Sequence, residues 1–109
     1  YGFSVTDSSG VPFGVLGDWV AKSEGTVYQA LTDGFVIIDA QVDNGDSFQF
    51  LTDSSNPPTT RRGWLETGSG TTAFHGSIGC SVKKGDYYKY SIVSGSTNSG
   101  AYYFIPMGY

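Results

Sequence analysis

The sequence predicts an all-β fold: a two-sheet sandwich or jelly roll of roughly eight to nine short antiparallel strands. Three observations carry that prediction. Apolar and polar residues alternate with a period of two through several runs. Turn-forming clusters recur roughly every eight to twelve residues. Sixteen glycines and few helix-favouring residues stand among the 109 positions, which suits short strands joined by tight turns.

Residues 1–17, YGFSVTDSSGVPFGVLG, are rich in Gly and Ser with one Pro and read as a lead-in with little regular structure. A single β-sandwich domain is expected over 18–109. DWVAK and TVYQAL are short β-compatible runs. In TDGFVIIDAQV, Val36, Ile38, Ala40 and Val42 share one face. Asp43, Asn44, Gly45 and Asp46 then supply turn chemistry, and Phe48 and Phe50 continue the apolar face, so this stretch reads as a hairpin. SSNPPTTRR is a loop whose prolines keep it out of a central strand, and GWLET after it is a brief strand. From Phe74 to Val82 the alternation is strict, with Phe74, Gly76, Ile78, Cys80 and Val82 on one side; Cys80 is therefore expected to point inward. Lys84-Gly85 turns the chain, and Tyr88, Tyr90 and Ile92 carry the apolar face back as a second hairpin. The closing run AYYFIPMGY is apolar on both faces, which a single sheet would leave wet, so a further surface must cover it.

Composition excludes several functions. A chain of 109 residues is one domain with one modest core. Its net charge of −4 and six Lys plus Arg disfavour nucleic acid and anionic membrane surfaces, because phosphate contacts need clustered cations. No apolar run reaches the length of a membrane span, and membrane insertion is not expected. The single cysteine, Cys80, has no intrachain partner for a disulfide. With Tyr1 in place of an initiating methionine, the chain reads as the end or the middle of a longer polypeptide.

Three stretches, YQALTDGFVIIDAQ, VKKGDYYKYSIVSG and YYFIPMG, resemble the small C-terminal domain of many bacteriophage and prophage tail fibres. The likeness runs from Thr26 to Gly108; VKKGDYYK and YFIPMG are its specific parts, and residues 53–72 match nothing in it. Met107 stands where leucine is commoner, a volume-conserving change. The resemblance implies a jelly roll of the tumour-necrosis-factor or C1q-like kind, trimerised at a fibre tip on the virion, with the lead-in arriving from a preceding shaft. It further implies that the tip binds a bacterial surface glycan or protein. A terminal strand apolar on both faces agrees with a homotrimer, whose neighbours would cover Tyr102, Tyr103, Phe104 and Tyr109.

The remaining polar residues point to binding rather than catalysis. Asp39, Asp43, Asn44 and Asp46 lack the spacing of a calcium loop and read as turn residues, so no metal or other cofactor is expected. His75 is the single histidine, and the HGSIG around Ser77 lacks the first glycine of a nucleophile elbow, so no catalytic residue is expected. Arg61, Arg62 and Trp64 set cationic donors beside a large ring, a combination that reads an acidic glycan; the alternative is Trp64 in the core with the arginines pairing Asp53 or Glu66. His75, and Asn98 in the polar GSTNSG loop, complete the candidate receptor contacts. Two other functions remain open: a monomeric carbohydrate-binding module of a secreted polysaccharide-degrading enzyme, and a trimerisation cap without a ligand.

Overall fold

The strand Gly34–Val42 shows in one element what the alternation dictates: its even-numbered residues are buried and its odd-numbered ones reach the outer surface. The computed structural model describes residues 16–42, 45–67, 74–95 and 100–108. Among these it has eight strands: β1 (Val20–Ala21), β2 (Tyr28–Gln29), β3 (Gly34–Val42), β4 (Ser47–Asp53), β5 (Arg61–Glu66), β6 (Phe74–Val82), β7 (Tyr87–Ser94) and β8 (Gly100–Pro106). They form two four-stranded sheets, ordered β1-β8-β3-β6 and β2-β7-β4-β5, with antiparallel pairing throughout. No helix occurs among the described residues, and so none is long and apolar enough to cross a membrane. The strands begin later than Asp18, but the lead-in is tied down at its end, where Leu16 bridges Met107 and the Gly17 N–H donates to the Pro106 carbonyl at 2.6 Å.

The inner faces meet in one core. β3 contributes Val36, Ile38, Ala40 and Val42 and its sheet neighbour β8 contributes Tyr102 and Phe104; Phe48 and Phe50 of β4 and Tyr88 and Tyr90 of β7 oppose them from the other sheet. The rings pack in contact, with Tyr88 stacked on Phe104 at 5.3 Å and Tyr90 edge-on to Tyr102 at 5.3 Å. This is how so many tyrosines fit: the rings fill the space between sheets that a β-sandwich of this length must close.

The two expected hairpins are corners instead. β3 bonds to β6 and β8 while β4 bonds to β5 and β7, so the turn between β3 and β4 carries the chain from one sheet to the other. The same holds for β6 and β7. Alternation requires only that each strand turn one face to a shared core, and strands facing each other across a sandwich meet that requirement as well as neighbours do. β4 and β5 are the strands adjacent in sequence that do pair, around the loop 54–60.

The corner at Lys83–Asp86 is held from outside itself. The Asp86 N–H donates to the Lys83 carbonyl at 3.0 Å, and Gly85 takes φ +88°, a turn that favours glycine at its third position. The Gly85 N–H donates to the Ala30 carbonyl (2.8 Å), Ala30 returns a bond to Asp86 (2.8 Å), and the Lys84 N–H donates to the Asp33 carboxylate (2.7 Å). The Met107 N–H donates to the Asp33 carbonyl at 2.7 Å. Residues from YQALTD, VKKGD and the end of YFIPMG, far apart in sequence, therefore lock together at one end of the sandwich.

Candidate functional site

The outward face of the β2-β7-β4-β5 sheet brings two of the chain's six Lys and Arg residues, Arg61 and Lys89, into rows beside one indole. Inward positions Phe48 and Phe50 on β4 force Gln49 and Leu51 outward. Gln49 is flanked by Trp64 of β5 and Ser91 of β7; Leu51 is flanked by Arg61 and Lys89. The result is two adjoining rows, Trp64-Gln49-Ser91 and Arg61-Leu51-Lys89. The Gln49 amide donates to the Ser91 hydroxyl at 3.3 Å, and the Arg61 guanidinium lies over the Trp64 ring at 4.3 Å.

Trp64 is 39% exposed, so it is not the core tryptophan of the alternative arrangement. Asp53, one of the two acids that the alternative arrangement paired with the arginines, is committed elsewhere. Its carboxylate accepts from the backbone N–H groups of Ser55 (2.8 Å), Thr59 (2.9 Å) and Thr60 (2.8 Å). Those bonds, with that from Thr59 foremost, hold its pKa far below the ordinary carboxylate value. Asp53 thereby shapes the loop 54–60, which includes a cis Asn56–Pro57 peptide and delivers the chain to Arg61.

Arg62 does not join Arg61. The β4–β5 register passes from Phe50↔Gly63 to Leu51↔Arg61, leaving Arg62 as the extra residue of a bulge. Its charge acts instead on the Cys80 thiol of β6, offsetting part of the burial that pushes that thiol up. Cys80 is half-buried against the core, on the inward face where the alternation puts it.

The other candidate residues are dispersed. His75 is exposed on the outward face of the opposite sheet, paired with Gln41, so the sandwich separates it from Trp64. Asn98 and Tyr109 lie outside the described residues. Of the expected subunit contacts, Tyr102 and Phe104 point inward and are only 6% and 7% exposed, being used within the core. Tyr103 alternates with them and faces out. Asp46 is a buried turn residue lodged against Gly95, where any side chain would collide with its carboxylate.

The sequence pattern did not single out the surroundings of Tyr103. Trp19 meets Tyr103 edge-on at 5.6 Å and is 59% exposed. Phe35, paired with Ile105, is 39% exposed, and Ile37 is paired with Tyr103. Trp19, Phe35, Ile37 and Tyr103 thus form an apolar half-face around a buried Ile105, while Asp39, Gln41, Ser77 and His75 make the other half polar. Odd-numbered apolar residues in β3 were the available signal.

The chain matches no family model, no curated protein and no solved structure.

Proposed function

We propose that this chain is a non-enzymatic receptor-binding domain of the kind that tips phage tail fibres, working as a homotrimer. The observation that carries the reading is the outward apolar half-face of Trp19, Phe35, Ile37 and Tyr103, an aromatic surface of the kind that a permanent interface covers. The strand order β1-β8-β3-β6 facing β2-β7-β4-β5 supports a jelly roll, in which the chain alternates between two sheets. The resemblance to tail-fibre tips supplies the three-fold symmetry and the place on the virion. In this reading the β1-β8-β3-β6 sheet meets neighbouring subunits, and the Arg61, Trp64 and Lys89 face of the other sheet remains free to meet an acidic surface glycan or protein.

Sedimentation equilibrium tests the first half. The wild-type chain is expected at three times the chain mass, and Phe35→Asp combined with Ile37→Asp at one. A wild-type monomer would overturn the trimer and favour a carbohydrate-binding module, for which the Arg61–Trp64 face is equally suited. Cell binding tests the second half: Trp64→Ala and Arg61→Ala should abolish it, and Arg62→Ala should spare it. Because Trp64 is half-covered, its truncation should cost only about 1–2 kcal/mol, including the stacked cation. A trimer whose Trp64→Ala variant binds cells normally would leave a structural cap as the better account of this face.

A further inference from the structure

Arg61 and Lys89 stand on either side of Leu51, on the two strands that flank β4, so their backbones are about 10 Å apart and a small anion lying over β4 can meet both side chains. Neither cation is neutralised by a described residue. The Asp53 carboxylate is turned into the loop 54–60, and Glu66 stands beyond Trp64, opposite Ser47. The Trp64 ring holds the Arg61 guanidinium at 4.3 Å through its π face and supplies no acceptor oxygen, so the N–H donors of that cation have no partner among the described residues. The cation in turn covers that face of the indole. Trp64 is therefore a seat for Arg61 rather than an open platform on which a sugar could stack.

The chemistry of the remaining donors narrows the ligand. β4 is bonded on both sides, to β5 and to β7, so its backbone N–H groups are committed to the ladder and the face offers side-chain donors instead. A phosphate dianion, commonly cradled by backbone N–H groups, finds no such cradle here. A singly charged carboxylate matches one guanidinium fork and one ammonium group, and half-buried Leu51 gives the space between them an apolar floor that strengthens such bonds. Beside it, Gln49 and Ser91 are bonded to each other at 3.3 Å. They keep an amide hydrogen, the amide oxygen and a hydroxyl hydrogen for further partners, a mixture that suits neighbouring sugar hydroxyls, which both donate and accept.

We propose that this face takes a carboxylated sugar, a uronate unit of a surface polysaccharide, with its carboxylate over β4 between Arg61 and Lys89 and its hydroxyls on Gln49 and Ser91. Trp64 is a positioning residue that acts through Arg61. The assignment takes its biological setting from the receptor reading and names the ligand class of that same face.

The test is a titration of the isotope-labelled chain with methyl glucuronide, its methyl ester and methyl glucoside 6-phosphate, followed by NMR. Saturable shifts with the uronate are expected at the Trp64 indole N–H, the Gln49 side-chain amide and the Leu51 and Lys89 amides. The ester and the phosphate should each bind about tenfold more weakly or worse. Arg61→Lys keeps the charge but loses the fork, and should weaken uronate binding about tenfold. Trp64→Leu should do the same, whereas Trp64→Tyr, which restores a ring under the cation, should stay within about threefold of the wild type. Equal binding of the ester or the phosphate, or wild-type affinity in Arg61→Lys, would overturn the proposal, as would a gain in ester binding on Arg61→Ala, the mark of a ring that stacks on sugar once uncovered. Cell binding that persists without uronate binding would also overturn it, in favour of an acidic protein surface, and leave the receptor reading standing. Uronate binding by a chain that binds no cells would uphold this site and overturn the receptor reading.

Discussion

Replacing Gly63 by alanine should damage this protein more than replacing Gly76 by alanine, although the two glycines do the same work. They lie on β5 and β6, the sheet edges opposite β2 and β1, where the two sheets approach closely. A Cβ on Gly63 would collide with Cγ2 of Ile78 on β6. In return, a Cβ on Gly76 would stand 2.7 Å from Cδ1 and 3.0 Å from Cδ2 of Leu65 on β5. Each strand therefore offers a glycine to the other's branched side chain. Leu65 is half-buried, and its clashing atoms are the far end of a flexible side chain, so a small rotation regains ordinary contact. Ile78 is 6% exposed, and its Cγ2 is fixed directly on Cβ, so relief needs an off-rotamer χ1 or a shift of β6. Overpacking costs about 1–3 kcal/mol, which puts Gly76→Ala near the bottom of that range and Gly63→Ala near the top.

Urea denaturation at one fixed protein concentration measures both, since an oligomer's stability depends on protomer concentration. The deciding variant is Gly63→Ala with Ile78→Ala. Alone, Ile78→Ala leaves a cavity and should cost about 2–4 kcal/mol; together, the clash disappears and the new methyl fills part of the hole. The pair should therefore fall short of the sum of the single costs by about 1–3 kcal/mol. Additivity to within ~0.5 kcal/mol would refute the close approach of these two edges.

Cys80 is half-buried and burial pushes its thiol up, so a thiol reagent should label the native protein slowly and the unfolded protein fast; fast native labelling would mean that β6 presents its other face to the core. Asp53 has a depressed folded-state pKa, so its hold on the loop is complete above the unfolded value of about 3.9 and is lost only as pH falls through the lower folded value. Amide shifts of Thr59 and Thr60 should accordingly stay constant through pH ~4, and a midpoint there would contradict the bonds drawn to that carboxylate. Burial raises the pKa of Tyr90 to about 12 and those of Tyr88 and Tyr102 as well, so stability is fully present below about pH 10 and falls as the unfolded chain ionises above it. Phenolate absorbance of these three should then appear together with unfolding, and gradual ionisation in the folded state would place them at the surface.

What the sequence made legible was the phase of β3, β4, β6 and β7, because phase follows from which residues are apolar. Val36, Ile38, Ala40, Val42, Phe48, Phe50, Ile78, Val82, Tyr88 and Tyr90 all face the core as their alternation demands. It could not say which strand lies beside which. Asp43 to Asp46 and Lys83 to Asp86 carry turn residues that serve a hairpin and a corner between sheets alike, and partner choice rests on contacts such as Ile38 with both Ile78 and Tyr102, made across dozens of residues. The candidate site was half legible for the same reason. Arg61 and Trp64 are close in sequence and were found together, but Gln49, Leu51, Lys89 and Ser91 reach them only through the register of β4 with β5 and β7.

The misreading of Arg62 has a more local cause. Counting from Trp64 by twos puts Arg62 on the indole's face and Arg61 on the other, the reverse of what β5 does. One extra residue opposite the Phe50–Leu51 step inverts the alternation, moving Arg61 over the ring and Arg62 to the Cys80 seam. Gly63 stands within that bulge and facing Ile78, so the same glycine that lets the two sheet edges meet also sits where the strand's phase changes. Packing of the core edge and aim of the arginine are therefore coupled: a variant that forces β5 away from β6 at Gly63 should also loosen Arg61 from Trp64, although neither residue touches Ile78's side of the sheet.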